Sequence, residues 1–228
     1  MSTLRFEKNG NAGFITLTDP PDNKIGSAFN KEFREALHEV AVSDVRALVI
    51  RSEGENFCNG ADVLEFAKLE PKIFRTLVNE VHSSFRLLES LRIPTIASVQ
   101  GMAVGGGFEL ALACDFLVVE ASATLFSIEV MGGVLPGAGG IQRIANRLGR
   151  ARTIRMMMLS RARLRRTSWS LGHCNSCSFG RRASEGYNRR GFETFNWSEP
   201  CLCGDQRPHE SLASWCCYRR LVIVRSFS

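Results

Sequence analysis

Gly101-Met102-Ala103-Val104-Gly105-Gly106-Gly107-Phe108-Glu109-Leu110 is the stretch on which the reading of this chain turns. Before it, Thr95-Ile96-Ala97-Ser98-Val99 is a short run rich in apolar and β-branched residues and predicts a buried strand. After it, residues 108–114 predict a helix. Three glycines between strand and helix let a ligand come close to backbone N–H groups, at a helix start where those groups lack internal partners.

The same alternation runs outward in both directions. Apolar runs at 4–7 and 14–18 flank Asn9-Gly10-Asn11-Ala12-Gly13, a hairpin signal because Asn and Gly tolerate positive φ. Residues 19–23 form a loop, and Asn30 is expected to N-cap a helix to about residue 41, with Phe33, Ala36, Leu37 and Val40 on one face. Ala47-Leu48-Val49-Ile50 predicts a strand. Pro71 opens a helix to about residue 91 whose apolar positions Leu77, Val78, Val81, Phe85 and Leu88 recur at helical spacing. Strands are expected at 116–119 and 124–127, and helices at 141–148 and 151–159. Strands alternating with helices imply an α/β fold built from parallel crossover units.

Two further stretches carry chemical signals. Asn56-Phe57-Cys58-Asn59-Gly60-Ala61-Asp62 is turn-rich, and Gly60 lets the backbone bend so that the Ala61 N–H can point outward. Phe126-Ser127-Ile128-Glu129-Val130 sets an acid in an apolar run, ahead of Gly132-Gly133-Val134-Leu135-Pro136-Gly137. Each feature alone has a plain structural reading. Glycine turns make turns, Glu109 suits a helix dipole, and Glu129 suits a strand end on the surface. Together, two outward N–H groups from separate turns can form an oxyanion hole beside two acids.

Composition divides the chain. Residues 1–159 hold 17 basic and 18 acidic side chains, whereas residues 160–228 hold 12 Arg, no Lys and 5 acids. The second segment also carries 6 of the 8 Cys, all 3 Trp and both Tyr, so the two segments are read separately. No run of about 18 apolar residues is present. The first residues lack the apolar core of a secretory signal, so a cytoplasmic protein is expected.

Residues 56–64, 99–115 and 126–143 carry a resemblance to the enoyl-CoA hydratase/isomerase (crotonase) family, with family-like order and spacing over residues 1–159. The resemblance implies a spiral of ββα turns, assembled as a trimer or a dimer of trimers. It implies an oxyanion hole made by the N–H groups of Ala61 and Gly106. Two glutamates mark hydratases, and Glu109 and Glu129 match them. Glu109 is expected mainly to orient and deprotonate the water, and Glu129 to deliver a proton at Cα. Ala61, Asp62, Val63, Leu64, Gly105, Gly106, Gly133, Pro136 and Gly137 match the segments that contact the CoA thioester and wall the pocket. Ile128 departs from the Pro common before the second glutamate.

The implied activity is hydration of a trans-2-enoyl-CoA to a 3-hydroxyacyl-CoA, with a Δ3,Δ2-enoyl-CoA isomerase as the alternative. No metal or redox cofactor is implied, since coenzyme A is part of the substrate, and neither a nucleic-acid nor a membrane partner is expected. Cys58 and Cys114 are expected to be buried or lining residues.

Residues 160–228 fall outside the resemblance. Arg161, Arg163, Arg165 and Arg166 open a segment rich in Arg, Ser and Cys without sustained periodicity, apart from the apolar run Leu221-Val222-Ile223-Val224, which suggests a strand. The leading reading is the product of a shifted reading frame. Two others stay open: a zinc site from His173, Cys174, Cys177, Cys201, Cys203 and His209, and a basic RNA- or membrane-binding tail. Loss of the family's C-terminal packing would leave a marginally stable core exposed, so an inactive, poorly folded relic is a further alternative.

Overall fold

The computed structural model describes residues 2–159 and, for its backbone, the strand Leu221–Arg225. The candidate zinc ligands and the Arg pairs of the tail lie outside the described residues.

The chain opens with the expected hairpin, β1 (Leu4–Asn9) antiparallel to β2 (Ala12–Leu17). It continues through α1 (Ser27–Val42), β3 (Ala47–Ser52), a single turn α2 (Val63–Phe66) and α3 (Pro71–Glu89). β4 (Thr95–Val99), β5 (Met102–Val104) and α4 (Gly106–Ala113) follow. Then come β6 (Phe116–Glu120), β7 (Thr124–Phe126), a 310 turn (Glu129–Gly132), α5 (Gly140–Leu148) and α6 (Arg150–Leu159). The suggested tail strand is present as β8 (Leu221–Arg225), parallel to β6.

Two sheets result. The larger runs β1-β2-β3-β4-β6-β8, parallel from β2 onward. The smaller pairs β5 with β7 in parallel, and a bridge between Cys58 and Ala103 adds the segment after β3 to its other side. The chain therefore repeats one step three times: a strand in the large sheet, a short strand or bridge in the small one, then a helix. This is the spiral of ββα turns that the resemblance implied. The core lies between the large sheet and the helices. Ile15, Leu17, Leu48, Ile50, Ala97 and Leu117 are buried against Phe33, Leu37, Phe85 and Leu88. Phe33 stacks on Phe29 and meets Phe85 edge-on, with ring centres 5.4 and 6.2 Å apart.

Several local expectations are corrected. Asn30 does not cap α1, which begins a turn earlier at Ser27. The Ser27 N–H donates to the Glu65 carboxylate (3.1 Å), so a distant acid serves the helix start. Asn30 is instead buried, accepting a hydrogen bond from Ser84 Oγ at 2.6 Å. The helix after the glycines begins at Gly106 rather than 108, since Gly105 already turns the chain with φ +51°. Glu129 opens a 310 turn instead of ending a strand, because β7 stops at Phe126. β5 is an additional strand, too short at three residues to show a period.

Candidate active site

The spiral brings three chain segments to one place. The chain leaves the Cys58–Ala103 bridge into Gly60 and Ala61, leaves β5 into Gly105 and Gly106, and leaves β7 into residues 127–129. In parallel strands, successive exits fall at the same edge, so residues more than 60 positions apart become neighbours.

The first two segments present backbone donors. Gly60 has φ +93°, and a Cβ built there would stand 2.7 Å from the Val104 carbonyl oxygen, so only glycine fits. A bridge between Ile25 and Ala61 uses the flanking groups: Ile25 N–H donates to Gly60 O (2.8 Å) and Asp62 N–H to Ile25 O (2.9 Å). The Ala61 N–H is thereby left without an acceptor among the described residues. Gly106 is the first residue of α4, where an N–H has no acceptor within the helix. A Cβ on Gly106 would lie 3.7 Å from the Ala61 nitrogen and 3.3 Å from Ile25 Cδ1, so the two turns touch. Asn59 ties the first turn down, donating from Nδ2 to Asp22 Oδ1 at 2.8 Å. That bond, with Lys24, holds the Asp22 carboxyl below its ordinary range.

The two acids flank these donors. Glu109 lies one turn into α4, its N–H on the Gly105 carbonyl (2.9 Å), and it is only 5% exposed. Its Oε1 accepts from the Ala138 N–H (2.9 Å) and the Gly140 N–H (2.8 Å). Burial pushes this carboxyl up to about 7; the Gly140 N–H opposes the rise, the Glu129 charge adds to it, and Ala138 and Arg143 oppose it. Glu129 is half-buried, and the buried Ser127 hydroxyl donates to its Oε2. A Cβ on Gly105 would lie 3.4 Å from Glu129 Oε1, which puts this carboxylate against the second turn.

Ala61, Gly105, Gly106, Glu109 and Glu129 thus converge. Asp62 spends its carboxylate on capping α2, accepting from Leu64 and Glu65 N–H at 3.1 Å each. Val63 and Leu64 stand exposed on that turn, at 69% and 71%. Gly133 closes the 310 turn in the left-handed region, and nothing lies within 4 Å of a Cβ built on it. Gly137 packs on Val78, leading into the 138–140 turn that grips Glu109, with Pro136 half-buried before it. Cys58 and Cys114 are buried, as expected, and burial pushes both thiols up, away from the thiolate form.

Two participants escaped the sequence reading. Ser127 sits two residues from Glu129, a spacing that suits a local side-chain contact but is common for other reasons. Arg143 shares the buried stripe of α5 with Gly140 and Ile144, and an Arg at such a position signals a buried partner. The assembled geometry can hold negative charge on an oxygen between two N–H groups and move protons at the atoms beside it.

A family model described as enoyl-CoA hydratase/isomerase matches residues 7–164, slightly past the point where the resemblance was expected to end. The chain is 40% identical over 129 residues to the mouse (Mus musculus) protein "Enoyl-CoA hydratase domain-containing protein 2, mitochondrial", covering 56% of this chain and 44% of that one. It is 34% identical over 161 residues to "Probable enoyl-CoA hydratase echA8" of Mycobacterium bovis, covering 70% and 62%. The chain therefore spans between 44% and 62% of the length of these relatives. A crystal structure titled as an enoyl-CoA hydratase from Bacillus anthracis superposes with a TM-score of 0.67 at 30% identity, covering 70% of this chain and 63% of that one.

Proposed function

The chain belongs to the enoyl-CoA hydratase/isomerase family, and on that premise we propose that it is an enoyl-CoA hydratase, adding water across the 2,3 double bond of a trans-2-enoyl-CoA to give a 3-hydroxyacyl-CoA. The observation that carries the reading is the pair Glu109 and Glu129 beside two unpartnered backbone donors, Ala61 and Gly106. The thioester oxygen accepts from both N–H groups. The free Oε2 of Glu109 orients a water and takes its proton as the water oxygen bonds to Cβ. Electron density moves to the thioester oxygen, where the two donors stabilise it more strongly than in the ground state. The pair enters the step holding one proton, on Glu129; Glu129 gives it to Cα, Glu109 keeps the proton taken from the water, and passage of that proton back to Glu129 resets the site.

Burial supports Glu109 as the base, because a carboxyl poised near neutral pH is both ionised in part and basic enough to act. The Glu129 charge raises the proton affinity of Glu109, so the two roles are assigned to the pair together. Hydration is redox-neutral and the thioester is its own electrophile, so the reading needs neither a metal nor a redox cofactor. A homotrimer or hexamer is part of the same proposal.

An isomerase moves a proton along the acyl chain with one carboxylate, and the second acid favours hydratase over it. The test uses the purified full chain with crotonyl-CoA, following loss of the conjugated thioester and appearance of 3-hydroxybutyryl-CoA, with size-exclusion chromatography alongside. Hydration by a soluble oligomer is the expected result. Conversion of a 3-enoyl-CoA without hydration of crotonyl-CoA would establish the isomerase instead, and an aggregate without turnover would contradict both.

A further inference from the structure

Glu109 is held by a turn that is itself held. The Ala138 and Gly140 N–H groups grip its Oε1 from one side of the 138–140 turn. On the other side Arg143, 8% exposed, donates from Nη1 to the Ala138 carbonyl. Its Nε and Nη2 form a bidentate pair with Glu89 of α3, Nε to Oε1 at 2.8 Å and Nη2 to Oε2 at 2.9 Å. The turn fills the space between the two side chains. A Cβ on Gly139 would lie 2.7 Å from Arg143 Nη1, and one on Gly140 would lie 2.8 Å from Glu109 Cγ.

We propose that the Glu89–Arg143 pair is a positioning device for Glu109: it locks the 138–140 turn so that two N–H groups occupy one carboxylate oxygen and leave the other free for the reacting water. The role rests on the hydratase reading. Arg143 does not touch substrate; it acts through Ala138. A planar guanidinium with five fixed donors can hold a carboxylate and a carbonyl at once, which an ammonium cannot do with the same geometry. Glu89 links the device to α3, so the turn takes its place from two helices and not from its own glycines.

Arg143 also acts on the proton held by Glu109. The titratable groups packed around α4 are few. The 310 turn brings Glu129, which raises the proton affinity of Glu109, and α5 brings Arg143, which lowers it, and Arg147, whose Nη2 donates to the Leu112 and Cys114 carbonyls at the far end of α4. α3 brings His82 and Glu89, while β4 and β5 carry no titratable side chain. Removing the positive charge of Arg143 moves Glu109 further above about 7, so less of the base form is present at neutral pH.

The test compares Arg143→Met, Arg143→Lys and Glu89→Gln in the full chain, with kcat and KM for crotonyl-CoA from about pH 5.5 to 9. Titration of the Glu109 carboxyl is read in parallel by infrared difference spectroscopy against Glu109→Gln, a readout that needs no turnover. Arg143→Met is expected to lose about 10–100-fold in kcat at pH 7 with KM within about threefold. Its acid limb and its Glu109 titration move to higher pH together. Arg143→Lys recovers the pH limb but only part of kcat, and Glu89→Gln shows a smaller loss of kcat with no upward move of the limb, since the charge it removes is negative. If Arg143→Met misfolds, the Lys and Gln variants carry the test. Variants that lose thermal stability while kcat at saturating crotonyl-CoA stays at the wild-type value across the pH range would overturn the proposal and leave Arg143 a packing residue. Failure of the hydratase reading looks different: wild-type protein would show no hydration, or Glu109→Gln would hydrate normally, whatever Arg143 does to the titration.

Discussion

Glu109 and Glu129 are the same side chain in two unlike settings. Glu109 rides on a helix, buried, with two backbone N–H groups on one oxygen and an anchored turn behind them. Glu129 stands half-buried on a single 310 turn, with one hydroxyl partner and a glycine beside its free oxygen. The contrast arises from the flanking residues. Three glycines bend the chain sharply and then start α4, sinking Glu109 into the core. Gly132 and Gly133 end a turn too short to be buried. Carboxylates in different environments are suited to different halves of one proton transfer.

The largest effects fall on the acids. Glu129→Gln and Glu109→Gln are each expected to lower kcat for crotonyl-CoA hydration by about 10²–10⁴-fold with KM little changed, measured by steady-state kinetics. A variant at either position that retains most of its turnover would break the pairing. Next is the donor side. Gly106→Val places a branched side chain tight against Ile25 Cδ1 and in contact with the Ala61 nitrogen, and is expected to cost about 10²–10³-fold in kcat/KM.

The burial of Glu109 also reaches stability. The folded-state pKa of Glu109, about 7, lies above the ordinary 4.5. The folded protein therefore holds the proton more tightly than the unfolded chain does. Its stability falls as pH rises from about 4.5 to about 7 and stays reduced above that. Glu109→Gln removes the buried charge, so thermal or urea unfolding at pH 8 is expected to show a gain of about 1–3 kcal/mol that shrinks toward zero below pH 5. A gain that does not depend on pH would deny the burial of the charged form. The smallest effect is at Ser127. Ser127→Ala leaves Glu129 without its hydroxyl partner and is expected to lower kcat about two- to tenfold, seen in the same assay.

Much of the fold was legible because its signals are local. Asn9 and Gly10 mark the hairpin, Pro71 opens α3, and the apolar runs at 47–50, 95–99 and 116–119 became neighbouring strands of one sheet. What escaped depended on partners far along the chain. Asn30 has the composition of a cap, but Glu65, 38 residues from Ser27, serves that helix start, and Ser84 takes Asn30 into the core. The site followed the same rule. Ala61, Gly106, Glu109 and Glu129 were visible as turn and acid motifs. The hold on Glu109 was not, because Ala138 and Gly140 reach it across about thirty residues and Arg143 reaches Glu89 across 54. No periodicity reports contacts of that kind; they exist only after the sheet has brought the helices together.

The central claim is that the two carboxylates work as one proton-handling unit. The most direct measurement is the kcat for crotonyl-CoA hydration of Glu109→Gln, Glu129→Gln and the double variant, determined side by side. Groups that act as a unit are non-additive, so the double variant is expected to fall within about tenfold of the weaker single variant. Losses that multiply in the double variant would contradict the account, since they would mean that Glu109 and Glu129 act independently.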